Sequence, residues 1–132
     1  MSANAIIGAL LGDSTISALI GARKAQSQLP DNTTFPSLVY TFVSDNPRPN
    51  LAASGSQLMS VRVQINPLAV TMAEVDAIHA AVRTLFDFKH QQTIASKTVV
   101  SIRRLPSSPV ADRDPDRGVW TSPADYMLMY YE

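Results

Sequence analysis

Between Leu58 and Ile65 the chain alternates. Met59, Val61, Val63 and Ile65 fall on one parity, and Ser60, Arg62 and Gln64 on the other. A period of two puts each set on one face of an extended chain, which predicts a half-buried strand. After Asn66-Pro67 the period changes. Thr71 and Glu74 have the spacing of a capping box, in which hydroxyl and carboxylate satisfy free amides of a first helical turn. Val75, Ile78, Val82 and Leu85 follow at helical spacing, predicting an amphipathic helix that ends near Phe86-Asp87.

The same reading extends to the rest of the chain. Asn4 to Leu11 is small and apolar, Gly12-Asp13-Ser14 interrupts it, and Ile16, Leu19 and Ile20 resume it up to Gly21. This predicts a short helix, a break and another turn or two of helix, in bulk one interrupted helix lying on a sheet, with Asp13 or Ser14 as N-cap of the second piece and Gly21 as its stop. Ala25 to Pro36 is polar and reads as a loop. Leu38 to Ser44 reads as strand one. Leu38, Tyr40 and Phe42 share one face and Val39, Thr41 and Val43 the other, so both faces are apolar and the strand is expected to be central or covered on both sides. Asp45 to Gln57 reads as a long loop, Leu58 to Ile65 as strand two and Thr93 to Leu105 as strand three. Pro106 to Arg117 reads as a second long loop, and Gly118 to Tyr131 as a closing strand four, bent, bulged or at an edge near Pro123. The expected fold is α+β: a four-stranded, mostly antiparallel sheet in the order α-β-β-α-β-β, with helices packed on it and two long hairpin arms, forming a single domain over residues 1–132.

Composition narrows the function classes. The 132 residues are 45% hydrophobic, and 11 acidic residues balance 11 basic ones. This is not the basic excess of a dedicated nucleic-acid binder, and a net charge near zero favours association. There are no cysteines, which excludes disulfides and thiolate chemistry. The apolar start, Met1 to Ile20, lacks a basic leader and is broken by Asp13, so it reads as neither a signal peptide nor a membrane span.

Candidate chemistry is sparse. His79 and His90 are the two histidines, and neither has partners at zinc-ligand spacing, so both read as solvated or boundary residues. Asp112, Asp114 and Asp116 match the first three ligands of a calcium loop in spacing. Pro115 is rigid, the turn glycine is misplaced, no bidentate glutamate follows, and Arg113 and Arg117 neutralise the acids. There is no nucleophile elbow and no phosphate loop. Neither a catalytic set, a metal site nor a cofactor is expected. The two arms are the unusual feature. In a monomer they cost ordering entropy without return, whereas contact with another subunit explains them; mobile solvent loops are the alternative.

Four stretches carry a family resemblance. They are Leu10 to Arg23 with its Gly21-Ala22-Arg23 turn; Phe35 to Tyr40, where Pro36 enters the first strand; Val61 to Ile65 leading through Ala69 to the helix Glu74 to Leu85; and Arg117 to Tyr131, with Asp125, Tyr126 and Tyr130 in the closing strand. In this order and over nearly the whole chain, the sequence resembles the tail completion, or tail terminator, proteins that join heads to tails in long-tailed bacteriophages.

The resemblance implies a structural virion protein and no enzyme. Its expected form is a ring, hexameric by analogy, at the head-proximal end of the tail tube, where it ends tube polymerisation and presents a surface to the head. The implied partners are other copies of the chain, the tail tube protein and a head connector or neck protein. DNA passes through the lumen without sequence-specific binding, and no membrane is involved. The expected location is the virion tail at the head–tail interface, with assembly in the host cytoplasm. The alternatives are a stopper-type neck protein and a small-molecule-binding α+β domain. From the arms themselves, Arg48, Asn50, Asp112, Arg113, Asp114, Asp116 and Arg117 are the expected interface residues, through ion pairs between subunits.

Overall fold

A computed structural model describes residues 2–28, 34–48, 58–87, 89–106 and 111–131. The N-terminal apolar stretch forms two helices, α1 (Ser2–Leu11) and α2 (Ser14–Ile20), bent 74° apart at the Gly12-Asp13 break. The Asp13 carboxylate caps α2 by accepting from Thr15 N at 2.9 Å. Gly21 ends it at φ 60°, a conformation that glycine adopts without Cβ strain. The expected two pieces, with their break and the Gly21 stop, are found, and the bend makes them separate helices rather than one interrupted helix. No single described helix is long and apolar enough to span a membrane.

Strand β1 (Lys24–Gln26) follows, then β2 (Ser37–Arg48), β3 (Leu58–Ala69), helix α3 (Met72–Phe86), β4 (Lys89–Ile94), β5 (Lys97–Arg104), β6 (Asp112–Asp114), β7 (Val119–Thr121) and β8 (Ala124–Tyr131). The strands form one mixed sheet, curled into a half-barrel, in the order β1-β2-β3-β8-β5-β4, with β7 continuing beside β3 and β6 beside β7. The β1–β2 pair is parallel; the other pairs are antiparallel.

The expected four-stranded sheet is therefore incorrect: eight strands are found among the described residues. Four local causes account for the difference. Lys24–Gln26, read as loop, is polar but pairs with Leu38–Tyr40 through its backbone. The expected strand three is a hairpin, β4–β5, turned at Ala95-Ser96. Both residues have positive φ (51° and 64°), the geometry of a tight two-residue hairpin turn without its usual Asn-Gly. The second expected arm contains a hairpin of its own, β6–β7. The closing strand is split into β7 and β8 at Ser122-Pro123. Ile65 faces Ala124 and Leu68 faces Thr121, so the register is the same on both sides of the split. Across it stand Pro123 on one strand and Pro67 on the other, and neither can donate to the ladder. The first expected arm also changes. β2 continues to Arg48 with a bulge at Val43, and Asp45 to Arg48 pair with Val61 to Leu58. Strands β3 and β5 are not neighbours, because β8 lies between them.

The three helices share one face of the sheet. The core takes Ile6, Ile7 and Leu11 from α1, Ile16 and Ile20 from α2, and Ile78, Val82 and Phe86 from α3, whose Val75 is also fully buried. Against them stand Val61, Val63 and Ile65 of β3 and Tyr126, Leu128 and Tyr130 of β8. Burial of the four α3 side chains contributes at most about 6–12 kcal/mol. Phe86 meets Tyr126 edge-on with ring centroids 5.2 Å apart. In α3 the Thr71 hydroxyl accepts from Glu74 N at 3.3 Å and donates to the Glu74 carboxylate at 3.2 Å, a variant of the expected box in which the acid meets the hydroxyl. A bulge at Val100 puts Val99 and Ile102, three apart, on the core side together.

Candidate assembly surfaces

Three features project from this scaffold or lie open on it. The first is the β2–β3 arm. Each strand has 12 residues and therefore spans roughly 40 Å at the strand rise. β1 covers β2 only at Leu38–Tyr40, so from Thr41 to Arg48 the outer edge of β2 carries no strand among the described residues. Exposed backbone edges of this kind are templates for pairing with another chain. Of the two expectations for β2, a central place holds only at Leu38–Tyr40, where it lies between β1 and β3, and full covering of both faces does not: Val39 and Thr41 are half-buried and Val43 is 53% exposed. Of the expected interface residues, Arg48 ends β2 opposite Leu58, and Asn50 lies outside the described residues.

The second feature is the β6–β7 hairpin, which brings together Asp112, Arg113, Asp114, Asp116 and Arg117. Asp114 organises its tip. Its carboxylate accepts from Asp116 N at 3.0 Å and Arg117 N at 3.4 Å, and its carbonyl accepts from Gly118 N at 2.8 Å. Gly118 closes the turn at φ 68°. The Arg117 Nε lies 3.9 Å from the Asp114 carboxylate, a loose and solvated contact. Asp112 accepts from its neighbour Arg113 N at 2.9 Å. The alternating acids thus shape a turn, and no group of three or more metal-ligating side chains occurs among the described residues. Asp116 and Arg113 are exposed.

The third feature is a cavity of about 300 Å³ beside α3, lined by Asp76, His79, Ala80, Arg83, Arg104 and Ser122. His79 is expected from the sequence to be a solvated or boundary residue. It is half-buried, and its Nε2 lies 2.6 Å from the Ser122 carbonyl oxygen. A carbonyl only accepts, so Nε2 carries the proton. The buried Nδ1 has no partner among the described residues. Burial holds this imidazole below its ordinary value, against the raising effects of the Ser122 bond and Asp76. Nothing in the periodicity could have revealed the site, because Arg104 and Ser122 reach α3 only through the sheet topology. Tyr126 has its phenol pushed up to about 12 by burial, which keeps it neutral in the core.

The sheet face away from the helices holds a different set. Arg62 on β3 reaches across to Asp125 on β8, its Nε donating to Oδ2 at 3.0 Å and its Nη2 donating to the same oxygen. Ser60 donates to the Met127 sulfur at 3.1 Å, and Asn66 to Gln64 at 3.1 Å. This face is polar enough to stand without a covering layer. Elsewhere Arg23 Nε donates to the Pro36 carbonyl at 2.8 Å, tying the Gly21 turn to the start of β2. Arg23, Pro36 and Asp125 all belong to the stretches that carry the family resemblance, and each has a structural task here.

No curated protein matches the chain. A chain of the virion of a native gene transfer agent particle has the same fold: the TM-score is 0.66 at 13% identity, over 98% of this chain and 93% of that one. Residues 4–131 match the model of the family described as tail completion protein gp17. The chain belongs to that family, and it is a structural tail protein with no enzymatic role.

Proposed function

We propose that the protein assembles into a ring, hexameric in form, at the head-proximal end of a phage tail tube. There it stops tube polymerisation and offers the surface on which the head connector or neck protein docks. The observation that carries this reading is the open backbone edge of β2 from Thr41 to Arg48, on a strand pair whose other side is held by β8. Long paired arms with unpaired edges suit lateral contact between subunits. Family membership supports the tail location.

On this reading Arg48, Asn50, Asp112, Arg113, Asp114, Asp116 and Arg117 lie at contacts between subunits or with the tube, where their charges set register more than affinity. DNA crosses the lumen without sequence-specific contacts, in keeping with the balanced charge. The ring forms in the host cytoplasm and is carried into the virion. Polymerisation of purified tail tube protein, with and without this chain, tests the proposal. Tubes that stop growing at one end and carry the protein there are the expected result. Tubes of unchanged length distribution with no bound protein contradict it.

A further inference from the structure

The α3 cavity and the β6–β7 hairpin lie at opposite ends of the same strand. Strand β7 (Val119–Thr121) lies between Gly118 of the hairpin turn and Ser122 at the cavity wall. Its three residues span roughly 10 Å. The strand is held in place by pairing to β6 and, through Trp120 and Thr121, to Ala69 and Leu68 of β3. The tip therefore points away from the cavity of its own chain and cannot fill it.

The two ends are complementary in charge. The cavity holds two guanidinium groups, Arg83 and Arg104, against one carboxylate, Asp76. Neither arginine is ion-paired to a carboxylate among the described residues. The hairpin tip presents Asp116, whose carboxylate is exposed and makes no hydrogen bond within the described residues; Asp114 and Arg117 flank it, Asp112 and Arg113 lie further along β6, and three carboxylates against two guanidinium groups leave the hairpin one negative charge. Arginine forks match carboxylates in geometry and are favoured at interface centres.

We infer that the α3 cavity receives the acidic β6–β7 hairpin tip of an adjacent copy of this chain, with Arg83 and Arg104 holding Asp116. Resting on the ring reading, the inference supplies that reading with a specific joint. A pocket at one end of a rigid strand and its plug at the other make a heterologous, head-to-tail contact, and such contacts repeat around a closed ring when the rotation closes.

The absence of cysteine allows a direct test. Full-length protein carrying Ala80→Cys, at the exposed cavity rim, is mixed with full-length protein carrying Arg117→Cys, at the tip, and oxidised. Both substitutions leave Asp116, Arg83 and Arg104 in place. The expected product is a mixed disulfide between the two variants, about tenfold or more above either homodimer. Adding Arg83→Glu and Arg104→Glu to the Ala80→Cys chain abolishes it, while circular dichroism stays unchanged. A mixed disulfide that persists with both arginines reversed overturns the inference. Rings visible by electron microscopy without an excess of mixed disulfide also overturn it and leave the ring reading intact. Absence of both rings and mixed disulfide, with and without tail tubes, overturns the two together.

Discussion

The Arg62–Asp125 pair is unequally placed, and so the two ways of breaking it should differ in cost. Asp125 is 6% exposed, and its Oδ1 has no partner among the described residues. The Arg62 side chain is 42% exposed. Arg62→Met keeps the aliphatic stem over the sheet and removes the guanidinium, which leaves a buried carboxylate unpaired. Stranding one partner of a buried pair costs about 3–5 kcal/mol. Asp125→Ala instead leaves a guanidinium that water can reach, and the loss is that of charge-assisted hydrogen bonds, about 1–2 kcal/mol at this exposure. For a chain of this length each kcal/mol lowers the melting temperature by about 4 °C. Arg62→Met should therefore lower it by about 12 °C or more, and Asp125→Ala by about 4–8 °C. Thermal unfolding followed by the fluorescence of Trp120, the only tryptophan, measures these shifts, and urea unfolding with the same probe measures the free-energy costs. The double variant should cost little more than Asp125→Ala alone, since it strands no charge. Equal costs for the two single variants, or a larger cost for Asp125→Ala, refute the reasoning.

Three further outcomes are expected. Thr71→Ala removes the acceptor for Glu74 N and should destabilise the protein by about 1 kcal/mol, read as a lower urea midpoint at unchanged slope. His79 is held below its ordinary value by burial, so the unfolded chain takes up a proton at higher pH than the folded one. The stability this contributes is present above the unfolded value of about 6.5 and is lost as pH falls through it. Unfolding measured at about pH 7.5 and about pH 5.5 should then show a smaller acid loss for His79→Gln than for the unsubstituted chain, and equal losses contradict the assignment. Replacing residues 49–57 by Asn-Gly, which suits a two-residue turn between the paired Arg48 and Leu58, should leave the melting temperature within about 4 °C. The same variant should lose association with copies of the chain or with tubes, as read by native mass spectrometry.

The parts of this fold legible in the sequence were those set by local physics. Thr71, Glu74 and the apolar run after them placed α3 correctly, because caps and helical periodicity act within a few residues. Asp13 and Gly21 bounded α2 for the same reason. The alternation from Met59 to Ile65 gave the core-facing side of β3. The failures were non-local. The Lys24–Gln26 segment becomes a strand because of a backbone partner distant in sequence, and its side chains carry no period. The bulges at Val43 and Val100 break alternation, so they blurred which face of β2 and β5 is buried. Ala95-Ser96 turns a hairpin without the residues that usually announce one. At the candidate surfaces, the acidic and basic residues of 112–117 were visible as a cluster, and the structure adds that they shape a hairpin tip. The α3 cavity was invisible, since His79, Arg104 and Ser122 converge only after β5 and β7 have joined the sheet.

The physical picture is of a helix-backed curved sheet whose stable core holds the open edge of β2 in a fixed direction. The Arg23–Pro36 tie fixes the root of β2, and the eight pairs between β3 and β8 fix β3. A rigid root allows an arm to carry register information to a neighbour, because little ordering entropy remains to be lost on contact. Cryo-electron microscopy of tail tubes assembled with this protein decides whether it acts as a collar. A closed ring of copies at one tube end, with the β2–β3 strand pairs between neighbouring subunits, is expected. Single copies bound along the tube wall, or a ring in which the arms touch neither neighbour nor tube, would contradict it.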